Sequence, residues 1–459
     1  MGKWLLMTSL SILMIPAAIA DDCIIFHEEL IFSPTSAHTH SPSIVETPDG
    51  MILASWYCGS GERKANDVKI LGSTLKPSSP YSSSTWSTPF ILADTPGFPD
   101  CNSVLFVDAQ ERLWMFWSTI LANEWGSSLL KYRQSSQYDG TRPPIWDWQD
   151  VLHVVPPDFS NDFIYAIAET SLDLPEFIPK VLAEIRYKNL YPILILYGVG
   201  LLLLGIALIA WICYMRKQKK CFYKPLICGN LLLFALFALL FSSFGSSLED
   251  KESLRLGWLT RCKPLLLKND KILLPLYSDT YSISLIAITS DYGKSWQFSE
   301  PIIGMGNVQP ALIEKADGTI VAYMRDNGYY ARIRVSYSYD QGLTWSEVQS
   351  TDLPNSGASI DIEKLESGNW ILVYNDLLKG RHRLKVSISD DEGKSWKWHR
   401  YLEEEESYAG RFCYPAIIQS RDGMIHCVYS YLLPNDENSI KHVQFNEEWV
   451  VSGASPAGT

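Results

Sequence analysis

Short apolar runs, each entered through a polar turn, recur along most of the chain. They read TPDGMILASW around Asp49, VDAQERLWMFW around Gln110, KNDKILLPLY around Asp270, KADGTIVAYM around Asp317, ESGNWILVY around Gly368 and SRDGMIHCVY around Asp422. Runs this short, rich in β-branched and aromatic residues and bounded by Asp, Asn and Gly, predict buried strands rather than helices. The last four copies stand about 50 residues apart, a spacing suited to four-stranded propeller blades.

A second pattern keeps step with the first. Thr289 to Trp296 (TSDYGKSW), Ser338 to Trp345 (SYDQGLTW) and Ser389 to Trp396 (SDDEGKSW) share the form S/T-x-D-x-G-x-S/T-W, the Asp box. In each box the carboxylate of Asp291, Asp340 or Asp391 is expected to accept backbone N–H bonds. Gly293, Gly342 or Gly393 supplies the permissive backbone angle, and Trp296, Trp345 or Trp396 packs between blades. Degenerate equivalents without the Asp are expected at Trp86, near Trp146 and Trp148, and at Trp449. These boxes predict a β-propeller; they are turns and carry no chemistry of their own.

The alternation breaks between Gln110 and Asp270. There, residues 193–215 and 226–248 form two continuous apolar stretches, each longer than the roughly 20 residues a membrane-spanning helix needs. Between them RKQKKCFYKP carries Arg216, Lys217, Lys219, Lys220 and Lys224, a short basic loop of the kind kept on the cytoplasmic side. The expectation is a two-helix transmembrane hairpin over 191–248, led by an amphipathic linker at 167–190. At the N-terminus, Lys3, an apolar core from Trp4 to Ile15 and Ala18-Ile19-Ala20 predict a signal peptide over 1–20. Two crossings after a cleaved signal return the chain to the side it left. Blade segments 21–166 and 249–459 can therefore join in one extracytoplasmic propeller on the membrane.

Composition narrows the chemistry. Of the 459 residues, 12% are aromatic, with 16 Trp and 24 Tyr, which favours strands and sugar-stacking surfaces. A net charge of -12 repels phosphate backbones, so nucleic acid is not an expected partner. Cys213, Cys221 and Cys228 fall in the hairpin. Cys23, Cys58, Cys101, Cys262, Cys413 and Cys427 remain, and disulfides or free buried thiols are both open to them. No phosphate loop, GxSxG elbow, HExxH helix or zinc cysteine spacing occurs in the sequence, so no cofactor or metal is expected.

From about His38 to Trp449 these motifs resemble the Asp-box sialidases, or BNR-repeat neuraminidases, especially their bacterial predicted-neuraminidase branch. The resemblance implies an all-β, six-bladed β-propeller, here interrupted by the transmembrane hairpin. It also implies release of terminal sialic acid with retention, by a Tyr nucleophile, an Asp acid/base, a Glu assisting the Tyr and three Arg clamping the sugar carboxylate. A carboxylate nucleophile would repel an anionic sugar, so a phenol serves; its pKa near 10 calls for a partner. The planar fork of Arg matches a carboxylate.

By this resemblance the acid/base corresponds to Asp67 in GSGERKANDVKI, with Arg63 lining the pocket. The nucleophile corresponds to Tyr414 in RFCYPAI. Arg325 in AYMRDNG and Arg381 in NDLLKGRHRLKVSIS correspond to two clamp residues, with Arg383 a register alternative. Two positions depart from the family. His40, in HSPSI, stands where an Arg-Ile-Pro segment supplies the first clamp Arg, and Gln309, in GNVQPALIEKADG, aligns with the assisting Glu. Arg261 in LGWLTRCKPLLL is a candidate to complete the clamp, and Glu62 or Glu314 to replace the Glu. The expected function is a membrane-anchored exo-glycosidase acting on terminal sialic acid or a related acidic sugar of glycoconjugates. The alternatives are a glycan-binding propeller without activity, and a glycosidase for a different sugar.

Overall fold

In a computed structural model, which describes residues 24–76, 85–138, 143–157, 255–304, 306–328 and 330–453, each of the six apolar runs is the second strand of a blade. The blades are antiparallel sheets following one another along the chain. Blade I holds β2 (His38–Glu46), β3 (Ile52–Gly59), β4 (Lys69–Leu75) and β5 (Phe90–Ala93). Blade II holds β6 (Asp100–Val107), β7 (Leu113–Ile120), β8 (Ser128–Ser135) and β9 (Trp148–Val151). In blade III the inner edge is split into β10 (Trp258–Thr260) and β11 (Leu265–Leu266), followed by β12 (Ile272–Ser278), β13 (Ile283–Thr289) and β14 (Gln297–Phe298). Blade IV runs from β15 (Asn307–Glu314) through β16 (Ile320–Asp326) and β17 (Arg332–Ser338) to β18 (Gln349–Pro354). Blade V has β19 (Asp361–Lys364), β20 (Trp370–Tyr374), β21 (Arg383–Ser389) and β22 (Trp398–Glu404). Blade VI takes β23 (Arg411–Gln419), β24 (Ile425–Leu432) and β25 (Asn438–Phe445), and its outermost strand is the chain's first, β1 (Phe26–Leu30). First strands of neighbouring blades touch one another, which puts them around the axis.

Apolar side chains from adjoining sheets fill the space between blades. Trp56, Trp114, Trp117 and Trp370 are fully buried there. The Asp boxes are the turns between third and fourth strands of blades III, IV and V, as the sequence predicts. In the last, Asp391 accepts from Ser389 Oγ at 2.8 Å, Ser395 N at 2.8 Å and Ser395 Oγ at 2.6 Å. The Ser395 bonds, side chain first, pull its carboxyl down to about 2. Gly393 has φ +80°, and Tyr323 Oη of blade IV presses against the place a Cβ would occupy. Gly393→Ala is therefore expected to cost about 2 kcal/mol or more, through the left-handed backbone and the collision together. Its check is the urea midpoint. Of the degenerate boxes, Trp449 departs from expectation: it lies on the short helix α1 (Glu447–Ser452) and stacks on Phe26 at 4.4 Å.

β1 closes the ring, and a buried polar chain sits at the seam. Glu29 accepts from Trp86 Nε1 of blade I at 3.1 Å and meets His442 Nδ1 at 3.3 Å, and His442 Nε2 lies 2.9 Å from His426 Nδ1. Burial, then the neighbouring His442, pushes His426 well below 6.5; burial lowers His442 against the pull of Glu29. Imidazoles of the unfolded chain protonate near 6.5, so the folded form binds fewer protons. The stability they contribute is present above pH 6.5 and lost as pH falls below it. The urea midpoint is expected to be lower at pH 5 than at pH 7, and to fall less in His426→Leu. An equal fall would assign the acid sensitivity to other groups.

Cys58, Cys101, Cys262, Cys413 and Cys427 are free thiols, all but Cys58 buried. Among the described residues no helix is long and apolar enough to cross a membrane. The signal peptide, the linker at 167–190 and both apolar stretches fall outside the described residues.

Candidate active site

Four inner strands carry the same irregularity. Register shifts fall between His40 and Ser43, Cys101 and Val104, Val308 and Ala311, and Cys413 and Ala416. Within them Ser41, Asn102, Gln309 and Tyr414 take φ of 55°, 53°, 56° and 58°. Non-glycine residues held there cost on the order of 1–3 kcal/mol each and cluster at functional sites. Three of the four precede proline: Ser41-Pro42, Gln309-Pro310 and Tyr414-Pro415. The bulges face a cavity of about 710 Å³ at one end of the axis, lined by residues of all six blades. Its walls are the loops between second and third strands and the beginnings of the first strands. The Asp boxes lie at the opposite end.

Tyr414 is half-buried in this cavity. Its Oη accepts from Arg325 Nη1 at 2.9 Å, and its ring lies 4.2 Å from His40, 5.2 Å from the Arg261 guanidinium and 5.4 Å from that of Arg381. Arg325 also donates from Nη1 to Gln309 Oε1 at 3.4 Å and from Nη2 to Asn327 Oδ1 at 3.0 Å; its Nε is buried without a partner. Arg381 donates from Nη2 to Gly357 O at 2.8 Å. Two of the expected clamp arginines thus flank the expected nucleophile. Gln309 donates to Tyr277 Oη at 3.3 Å and is 2% exposed. An amide at this position cannot take a phenol proton.

His40 lines the cavity next to Tyr414. Burial first, then the charges of Arg381, His38, Arg261 and Arg411, pushes it well below 6.5. Its surroundings thus disfavour the charged imidazolium, the form that would attract an anion. Arg261 is 2% exposed and turned into the protein, donating from Nη1 to Pro42 O at 3.2 Å and from Nη2 to Pro415 O at 2.8 Å. It ties two bulges together beneath the Tyr414 ring, and the cavity lining excludes it. Arg383 also stays out of the lining, and Glu314 ends β15 at the far face.

The residue expected as acid/base lies outside the cavity lining. Asp67 is exposed and outside the cavity; it accepts from Ser60 N at 3.1 Å and Ser60 Oγ at 2.8 Å, so it serves as a turn carboxylate. The same loop instead brings Glu62 into the cavity. Its Oε1 accepts from Tyr57 Oη at 2.9 Å, and its Oε2 pairs with Arg63 at 3.3 Å. Burial and then Glu62 raise Tyr57 well above 10, so it stays a neutral donor. Arg63 lines the cavity with its guanidinium over Trp125 at 5.2 Å.

Several lining residues had no motif to announce them: His38, Asn102, Glu124, Trp125, Tyr277, Asp279 and Arg411. Burial raises the carboxyl of Asp279 despite the nearby Arg325 and Arg63. One signal was legible in part: Tyr57 and Arg325 each stand eight residues beyond the Asp of a DG turn, Asp49 and Asp317, at the end of a second strand. Arg63, Arg325, Arg381 and Arg411 outnumber the lining carboxylates Glu62, Glu124 and Asp279, so the cavity favours an anionic ligand.

The profile of a family described as a BNR repeat-like domain matches residues 241–427. No curated protein matches the chain. Among solved structures, a protein of unknown function from Dyadobacter fermentans superposes with a TM-score of 0.58 at 13% identity, covering 91% of this chain and 97% of that one. The NanB sialidase of Streptococcus pneumoniae gives 0.58 at 13% identity, with 92% and 71% covered. A leech intramolecular trans-sialidase, solved with 2,7-anhydro-Neu5Ac, gives 0.58 at 12% identity, with 93% and 71% covered. The chain is an all-β, six-bladed β-propeller with BNR-type repeats and the fold of the sialidases.

Proposed function

We propose that this chain is an exo-glycosidase of the sialidase type, hydrolysing terminal sialic acid or a related acidic sugar. The observation that carries the reading is the 2.9 Å bond from Arg325 Nη1 to Tyr414 Oη, with the Arg381 guanidinium 5.4 Å from the ring. In this reading Arg325 and Arg381 hold the sugar carboxylate, the Arg325 bond orients Tyr414 Oη for attack on the anomeric carbon, and the phenol proton passes to water as the bond forms. Glu62 protonates the departing oxygen and then takes the proton of the water that releases the sugar. The signal sequence and apolar stretches support anchoring by a two-helix hairpin, with the propeller on the extracytoplasmic side.

The test is release of a fluorogenic phenol from an aryl α-sialoside between pH 5 and pH 7 by detergent-solubilised full-length protein. Release lost in Tyr414→Phe supports the reading. A second reading, binding without hydrolysis or a different sugar, is favoured by a buried His40 in place of a clamp arginine and by the Gln309 amide. Absence of release together with glycan binding on an array would replace the first reading by it.

A further inference from the structure

The two ends of the long segment 158–254 leave the propeller at one place. β9 carries the outgoing chain toward the cavity end, where Leu152 N donates to Leu130 O at 2.9 Å. The returning chain is fixed beside it, Gly257 N donating to Ser128 O at 3.0 Å. Gly257 packs directly on Gly126, which lines the cavity; a Cβ there would sit 3.0 Å from Gly126 O. Both attachments are therefore on the mouth edge of blade II. Only eight residues, nine Cα-to-Cα steps, separate Leu248, the last residue of the second apolar stretch, from Gly257. Fully extended, they reach about 30 Å.

Four large apolar side chains are exposed on loops of this same face. Phe98 follows β5, Leu121 follows β7, Leu378 lies between β20 and β21, and Tyr408 precedes β23; their exposures are 39%, 41%, 54% and 78%. Apolar tips around a polar cavity suit a lipid headgroup surface better than open solvent. We propose that the mouth faces the membrane and that the substrate is a sugar carried on a lipid of that same surface, within about 30 Å of it. This rests on the two-crossing reading of 193–215 and 226–248 and, for the sugar, on the sialidase reading. The short return tether holds the mouth down, and a lipid-borne sugar shares the surface with it. Confinement raises its effective concentration over that of a dissolved glycan.

The experiment uses the full-length chain in liposomes, with a clickable dye on an azido residue replacing Leu378 at the mouth or Ser367 at the opposite face. Energy transfer to an acceptor on lipid headgroups is expected to be strong from 378 and weak from 367. Hydrolysis of sialyl-lactosylceramide in the same vesicles is expected to exceed that of soluble sialyllactose by at least about tenfold. Release of the chain by alkaline carbonate overturns the membrane reading and this proposal with it. A membrane-held chain with equal or reversed transfer overturns the orientation alone. Equal hydrolysis of the two sialosides, or faster hydrolysis of a vesicle-anchored sialoglycoprotein, overturns the lipid substrate. Hydrolysis of none of them removes the sialidase reading, while the dyes still decide which way the mouth faces.

Discussion

Tyr414→Phe is expected to lower kcat for an aryl α-sialoside on the order of 10³-fold or more, with the fold intact. The substitution removes only Oη. The ring keeps its packing on His40 and its place near the Arg261 and Arg381 guanidinium groups. The thermal midpoint should therefore stay near that of the parent. Arg325 loses its 2.9 Å acceptor, and its fork is left to Gln309, Asn327 and the ligand. Binding of free sialic acid is accordingly expected to persist or tighten, measured by calorimetry. Undiminished kcat would remove Tyr414 from the chemistry and leave the cavity as a binding site or one for another reaction.

Glu62→Gln is expected to lower kcat by about 10²- to 10⁴-fold on natural sialosides, whose leaving oxygen needs a proton. The loss should shrink sharply on an aryl sialoside with an acidic phenol, which departs without help in the first step. That contrast separates an acid from a residue that only shapes the cavity. The Gln oxygen can still accept from Arg63 while its amide N–H donates to Tyr57 Oη, so local geometry is kept. Asp279→Asn tests another carboxyl of the cavity lining, and Asp67→Ala, at an exposed turn, should leave kcat near the parent value. If the leaving-group contrast follows Asp279, the proton comes from blade III and the resemblance to an acid in blade I ends there.

Second strands were legible because a polar turn and a continuous apolar run are local features; all six fall where the runs predict. The Asp boxes were legible for the same reason, since the carboxylate, glycine and tryptophan act within eight residues. Which loop carboxylate enters the cavity was not. Glu62 and Asp67 are five residues apart, and the choice depends on Tyr57 reaching one and Ser60 capping the other. Tyr277 and Asp279 reach the cavity only because blade III stands beside blade IV, a relation that no local pattern records. Arg261 looked available to the sugar as a charged residue near a strand. Burial turned its guanidinium onto the carbonyls of Pro42 and Pro415 instead. The repeated Ser-Pro, Gln-Pro and Tyr-Pro steps were visible in the sequence, but only the backbone angles reveal them as one device.

Those bulges work as sockets. Each puts one non-glycine residue in the left-handed backbone region near the mouth end of a first strand. The next residue along is proline in three of them and serine in the fourth, and the strand beyond resumes its pairing. A serine, an asparagine, a glutamine and a tyrosine already occupy the four places in this one protein. The residues they hold are joined across blades, Asn102 and Gln309 through Tyr277, Gln309 and Tyr414 through Arg325, so a change in one socket is passed on to the next.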